Sequence, residues 1–307
     1  MFGILNLNKP AGWTSRDVVN RVSRIVGRKV KCGHAGTLDP LATGVLLVCI
    51  GKATKLVPYI HEFPKSYDGS FHLGKKSETD DLEGTLESVP IPEDLTEETI
   101  KSLLPEFLGE IEQVPPVYSA VWVKGERAYD LARRGETVEL SARKVNIDRL
   151  ELSEFDNHSM TLSMTCGTGT YVRSLGRDIA RKAGTEAVMS SLTRTSIGPF
   201  TLEDSIPVDE LDLERIQQEH QSPLILFEAF PKYTANAEET QLIRHGREVS
   251  IRPECLSLNA ATDADADADA DADAEKIIVI DEQGRLVAIT ENRKMLLAPQ
   301  MVFPSSE

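Results

Sequence analysis

The stretch Gly33–Leu46, GHAGTLDPLATGVL, constrains this chain more than any other. Gly33, Gly36, Pro40 and Gly44 suit a backbone that turns tightly and lets another group approach closely. The run Val45–Ile50, VLLVCI, is short and rich in branched residues, which predicts a buried strand. A single carboxylate, Asp39, thus sits in a tight turn beside that strand. Such a residue is either a turn former, since Asp before Pro is common in turns, or a reactive group.

At 307 residues the chain exceeds one average domain, so two domains are expected, and 40% hydrophobic content suffices for a core. No apolar run approaches the ~20 residues that span a bilayer. MFGILNLNKP lacks the basic and apolar regions of a secretory signal, so a cytoplasmic protein is expected. Cys32, Cys49, Cys166 and Cys255 form no CxxC pair and have no histidine at zinc-ligand spacing, which predicts reduced, structural thiols. The net charge of −15 argues against a nucleic-acid partner. Six of the acids, however, lie in the alternating tract Asp263–Ala274, and the rest of the chain carries −9. Arg16, Arg21, Arg24, Arg28, Lys29 and Lys31 also crowd one stretch against Asp17 alone, and local sign governs docking more than the total does.

The spacing of Val18, Val19, Val22, Ile25 and Val26 predicts a helix over Thr14–Val26, opened by a Thr14–Asp17 capping box. The acidic stretch Ser77–Glu112 reads as loops plus a short helix near Thr96–Phe107, ended or kinked by Pro105, and is assigned no chemistry. Met160–Cys166 alternates like a strand, with Gly167 and Gly169 marking a turn. Tyr171–Ala183 reads as a helix with an apolar stripe of Val172, Leu175, Ile179 and Ala183. Arg173, Arg177 and Arg181 share another face, and a solvated stripe is the simplest reading of Arg177 and Arg181. Beyond about residue 234 the elements are short; Ile277–Ile280 and Leu286–Ile289 flank Gly284 and predict a β-hairpin. The Ala–Asp tract offers nothing apolar to bury and predicts a disordered surface loop, and it lacks the Gly and Glu of a calcium loop.

Five motifs then point one way: LNKPAGWTS (Leu7–Ser15), GHAGTLDPLATGVLLV (Gly33–Val48), PPVYSA (Pro115–Ala120), GTYVRSLGRDI (Gly169–Ile179) and LTRTSIGPF (Leu192–Phe200). Their order and spacing resemble the bacterial TruB family of tRNA pseudouridine-55 synthases over about residues 3–230. LIRHGREV and IIVIDEQGRLVAI resemble, more weakly, the small RNA-binding PUA domain that often follows. The resemblance implies an α+β pseudouridine synthase fold, a mixed, mostly antiparallel sheet with flanking helices, at 1–230. A small β-rich PUA-like domain is implied at 234–307, interrupted by the tract at 263–274. It also implies a cofactor-free, metal-free isomerisation of uridine 55 in the T loop of tRNA, a base that must be flipped out of its stack.

On this resemblance Asp39 matches the catalytic aspartate, which can attack C1′ or take a proton from C2′. Arg173 matches the arginine that keeps that carboxylate ionised. Tyr67 and Tyr171 match tyrosines lining the pocket, His34 the histidine that fills the space left by the flipped base, and Lys55 and Leu192 further pocket positions. GERAYDLARRGETVEL (Gly125–Leu140), within an insertion at about 116–145, resembles the part that grips the T arm, with Lys124, Arg127, Arg133 and Arg134 as cations. The guide-RNA-dependent relatives lack this grip, so a stand-alone monomer with tRNA as partner, no guide RNA and no membrane is expected. A non-catalytic tRNA-binding or folding protein and a guide-dependent synthase are the alternatives. The chain departs from the family at Trp122, usually lysine, and in the Ala–Asp tract, which should point away from bound RNA.

Overall fold

The protein is described here from a computed structural model covering residues 1–119, 121–123, 125–257 and 276–303. The Ala–Asp tract, Ala120 and Lys124 lie outside the described residues.

One large sheet organises the first three-quarters of the chain. Its strand order is Ile206–Pro207, Gly3–Lys9, Thr43–Ile50, Ala187–Ile197, Lys65–Leu73, Ser159–Cys166, Arg143–Asp156, Gly109–Gln113, with Cys32–His34 beside Thr43–Ile50 and Phe200–Thr201 beside Ala187–Ile197. Most pairs are antiparallel; Gly3–Lys9 with Ile206–Pro207, and Thr43–Ile50 with Ala187–Ile197, are parallel. The mixed, mostly antiparallel expectation therefore holds. The Thr43–Ile50 and Ala187–Ile197 strands join over only two residue pairs, Thr43 with Thr193 and Gly44 with Arg194. This seam is narrow, and the Asp39 loop enters Thr43–Ile50 there.

Local sequence explains the elements around the seam. Val45–Ile50 is buried throughout, as a central strand covered on both faces requires. Helix Ser15–Val26 starts at Thr14, whose hydroxyl accepts from the Asp17 amide while the Asp17 carboxylate accepts from the Thr14 amide. Its Val18, Val19 and Val22 pack on Leu5, Leu7, Leu46 and Val48. Ser159–Cys166 alternates buried and half-buried positions, as predicted. Helix Glu97–Leu103 is capped by Thr96 and passes at Leu104–Phe107 into a tighter 3₁₀ turn, where Pro105 cannot donate a helical bond.

Helix Val172–Lys182 lies on the sheet against Phe71, and Gly176 makes this possible. A β-carbon there would stand 2.0 Å from the Phe71 ring. So close an approach buries eight of the helix's residues, Arg173 and Arg177 among them. The solvated-stripe reading fails for Arg177, which is 8% exposed, and holds for Arg181, which pairs with Glu186 at the surface.

A second sheet, ordered Val249–Ser250, Leu296–Val302, Leu286–Asn292, Lys276–Asp281, Lys232–Ala235, Leu256–Ser257, closes the chain. The predicted hairpin is its Lys276–Asp281/Leu286–Asn292 pair. Helix Ala237–Arg244 has a second capping box, Asn236 with Glu239. Phe303 stacks on Phe2 at 5.3 Å, and Ile278, Leu286 and Ile289 share an apolar cluster with Ile4, Leu226 and Phe227, so the two sheets have a common core.

Candidate active site

Asp39 lies in the loop between the Cys32–His34 and Thr43–Ile50 strands, and four neighbours fix that loop. Lys9, fully buried, donates to the carbonyls of Pro40 (3.2 Å), Pro10 (3.0 Å) and Trp13 (2.5 Å). The Gly12 amide donates to the same Pro40 carbonyl at 2.8 Å. Ser15 Oγ accepts from the Leu38 amide and donates to the Leu38 carbonyl. Arg194, 2% exposed, donates from Nε to Val45 O (2.7 Å) and from Nη2 to Gly36 O (3.2 Å), gripping both ends of the loop. Burial pulls the Lys9 ammonium down to about 8, against the upward pull of Asp39.

Close approach at Gly44 explains that glycine. With φ at +97°, its β-carbon would stand 2.3 Å from the Arg194 carbonyl oxygen. The group that approaches this backbone is the neighbouring strand. The close approach expected at these glycines is, at Gly44, strand pairing.

Asp39 Oδ2 stands 3.1 Å from Arg173 Nε, with the carboxylate side chain 35% exposed and the arginine 8%. A reachable anion is thus held by a buried cation. Arg173 has further partners: Nη1 donates to Thr79 O (2.8 Å) and Asp81 Oδ2 (3.2 Å), and Nη2 to Tyr118 O (3.1 Å). Asp81 in turn accepts from Thr79 Oγ1 (2.5 Å) and the Glu83 amide (3.0 Å). One turn along the helix, Arg177 pairs with Asp80 at 2.6 Å, and Asp80 takes a positive φ of 59°. Asp80 and Asp81 sit in the acidic stretch to which the sequence reading assigned no chemistry. That reading is corrected here: Asp81 is 2% exposed and shares its guanidinium with Asp39.

Burial pushes the Asp39 carboxyl above the ordinary 3.8, reinforced by Asp81 and opposed by Arg173 and Lys9. A reaction that needs this group ionised loses rate as pH falls through the raised value. Single-turnover rates should therefore show an acid limb with its midpoint above 3.8; a midpoint at or below 3.8 would contradict the assignment.

Tyr67, on the strand Lys65–Leu73, faces Arg194 across the sheet, with the guanidinium 6.0 Å from its ring. Burial raises its phenol, so the ring stays neutral. Tyr171 immediately precedes the helix that carries Arg173. Its amide donates to Gln113 Oε1 (2.8 Å) and its carbonyl accepts from Gln113 Nε2 (3.1 Å), a two-bond clamp from a buried side chain. His34 ends the strand five residues before Asp39. Burial, with Arg16 and Arg194, holds its imidazole below 6.5, and Nδ1 is buried with no partner among the described residues. Leu192 packs with Leu38, Ala42 and Val172 in the core under the loop. Lys55 is exposed on the 3₁₀ turn Gly51–Leu56, and nothing among the described residues ties it to Asp39.

The structure thus joins Asp39 to Arg173 and places Tyr67, Tyr171, His34 and Leu192 on the elements around them. Sequence reading missed Lys9, Asp81, Gln113 and Arg194. Lys9 and Arg194 stood inside quoted motifs, but burial of a charge leaves no local signature. Among the described residues no group of three His, Cys, Asp or Glu is placed to hold a metal, and no helix is long and apolar enough to cross a membrane. All four cysteines are free; burial raises Cys49 to about 12 and Cys166 to about 11, which makes them poor nucleophiles.

Known proteins resemble this chain in sequence and fold. Residues 23–172 match the family described as TruB family pseudouridylate synthase, N-terminal domain, a span holding Asp39, Tyr67, Asp81 and Tyr171. The tRNA pseudouridine synthase B of Shouchella clausii is 42% identical over 253 residues, 80% of this chain and 83% of that one. That of Thermobifida fusca is 36% identical over 99% of both chains. Among solved structures, a chain of the Cbf5-Nop10-Gar1 complex matches 98% of this chain and 84% of its own length, with a TM-score of 0.69 and 25% identity. The family match and these relatives, aligned over most of both chains, place the chain in the TruB family of pseudouridylate synthases.

Proposed function

We propose that this protein converts uridine 55 in the T loop of tRNA to pseudouridine, alone and without a guide RNA, using Asp39 as the essential carboxylate. The observation that carries this reading is the Asp39–Arg173 pair: a reachable anion held at 3.1 Å by a buried guanidinium. In the reaction the N1–C1′ bond breaks, the base rotates, C5 bonds to C1′, the C5 proton leaves and N1 gains one. Asp39 serves either by attacking C1′ or by taking the C2′ proton. Arg173 keeps it ionised and aimed. Tyr67 and Tyr171 stack on the flipped base, and the Tyr171 hydroxyl helps move the C5 proton. Neutral His34 fills the space the base leaves, Leu192 walls the pocket, and Lys55 contacts phosphate.

Residues 1–230 serve as the catalytic unit in this reading. The terminal sheet, taken as a PUA-like RNA-binding unit at 234–307, begins with the strand Lys232–Ala235. The insertion at 116–145 grips the T arm. Relatives 36% and 42% identical that are named tRNA pseudouridine synthase B support tRNA as the substrate, and a cytoplasmic monomer fits that task. Site choice is tested with tRNA transcripts carrying tritium at C5 of uridine. Replacing uridine 55 by cytidine should abolish tritium release; undiminished release would place the target elsewhere.

A further inference from the structure

Trp122 is 60% exposed, the most exposed large apolar side chain among the described residues. It opens a short hairpin in which Trp122 pairs with Arg127 and Val123 with Glu126. The Arg127 guanidinium lies 4.2 Å from the indole centroid. The helix that follows, Ala128–Arg133, repeats the device, with Arg133 5.5 Å from the Tyr129 ring.

The hairpin is fastened to the active site. The Ala128 amide donates to Val121 O (2.8 Å) and the Tyr129 amide to Ser119 O (3.1 Å). The preceding residue, Tyr118, gives its carbonyl to Arg173, the partner of Asp39. Trp122 follows four residues later, a reach of at most ~14 Å of extended chain. The indole therefore belongs to the segment whose Tyr118 carbonyl holds Arg173.

An exposed indole backed by a guanidinium has a specific use. Every nucleobase offers a π-face, and an arginine beside the ring adds attraction both for the base and for its phosphates. A protein partner fits less well. The hairpin and the helix after it carry Glu126, Arg127, Arg133 and Arg134, with Arg134 paired to Glu126, a mostly charged setting. We propose that Trp122, backed by Arg127, is a stacking platform for an unpaired nucleobase of the substrate RNA, distinct from the uridine held at Asp39. This platform sets how tightly the RNA binds. It rests on the reading of the protein as an RNA-acting synthase.

The test reads binding and turnover separately, using the full chain and an unmodified tRNA transcript. Saturating RNA should quench tryptophan emission in the parent, and Trp122→Phe should lose that quench while keeping KM within about threefold. Trp122→Ala should raise KM about 5- to 150-fold and leave kcat at saturating RNA unchanged. An unchanged KM in Trp122→Ala, or equal quenching in the parent and Trp122→Phe, would overturn the proposal. Should the parent release no tritium, the assigned activity fails; the emission titration still decides whether Trp122 stacks on RNA.

Discussion

Asp39→Asn is expected to cut turnover by about a thousandfold or more while the protein stays folded and still binds tRNA. Asparagine has the shape of aspartate but can neither attack carbon nor take a proton. Its removal leaves Arg173 anchored by Asp81, Thr79 O and Tyr118 O, so the guanidinium is not stranded. The stability effect follows from linkage. The folded state raises the Asp39 carboxyl above 3.8, so it binds this proton more tightly than the unfolded chain does. Parent stability therefore declines as pH rises through the interval from 3.8 to the raised value, and the deficit persists at neutral pH. Asp39→Asn removes that cost. Its Tm at pH 7.5 should equal or exceed the parent's, and any gain should vanish in acid where Asp39 is protonated. Melting curves at the two pH values and single-turnover rates check both parts; a fully active variant would remove Asp39 from its role.

Gly44→Ala should cost about 2–4 kcal/mol of stability and most of the activity. Two penalties combine at this position. The backbone holds φ at +97°, which a side chain resists, and the new β-carbon would collide at 2.3 Å with the Arg194 carbonyl. That neighbour is backbone and cannot rotate away. The pairing it breaks is one of the two that close the sheet seam, and the Arg194 side chain grips the Asp39 loop. Gly109→Ala is the control: it shares a positive φ of 77° but meets nothing within 4 Å, and should cost only about 1 kcal/mol. Urea unfolding of the two variants measures the difference. Equal losses would mean that φ alone, and no close approach, explains Gly44.

What could be read in the sequence was local. Thr14 and Asp17 announce their helix because a capping box is written in adjacent residues. Val45–Ile50 and Met160–Cys166 announce strands by pattern, and the terminal hairpin by the turn at Gly284. Asp39 and Arg173 were legible only through motif resemblance, since 134 residues separate the partners that the fold brings to 3.1 Å. What stayed hidden was burial of charge. Lys9, Asp81, Arg177 and Arg194 look like surface residues in any window of sequence. Each is buried because carbonyls or an opposite charge satisfy it, and at least one partner of each lies far along the chain: Pro40 for Lys9, Arg173 for Asp81, Asp80 for Arg177 and Val45 for Arg194. The acidic stretch at 77–112 misled for the same reason: of its many acids, the two adjacent ones at Asp80 and Asp81 meet arginines one helical turn apart. The Ala–Asp tract lies outside the described residues and tests none of this.

The central claim is that one chain, through the Asp39–Arg173 pair, isomerises uridine in tRNA unaided. The direct measurement is tritium release from tRNA labelled at uridine C5, with the purified protein alone at pH 7.5. Release matching pseudouridine formed, and lost in Asp39→Asn, is the predicted result. No release until a guide RNA or partner proteins are added would contradict it.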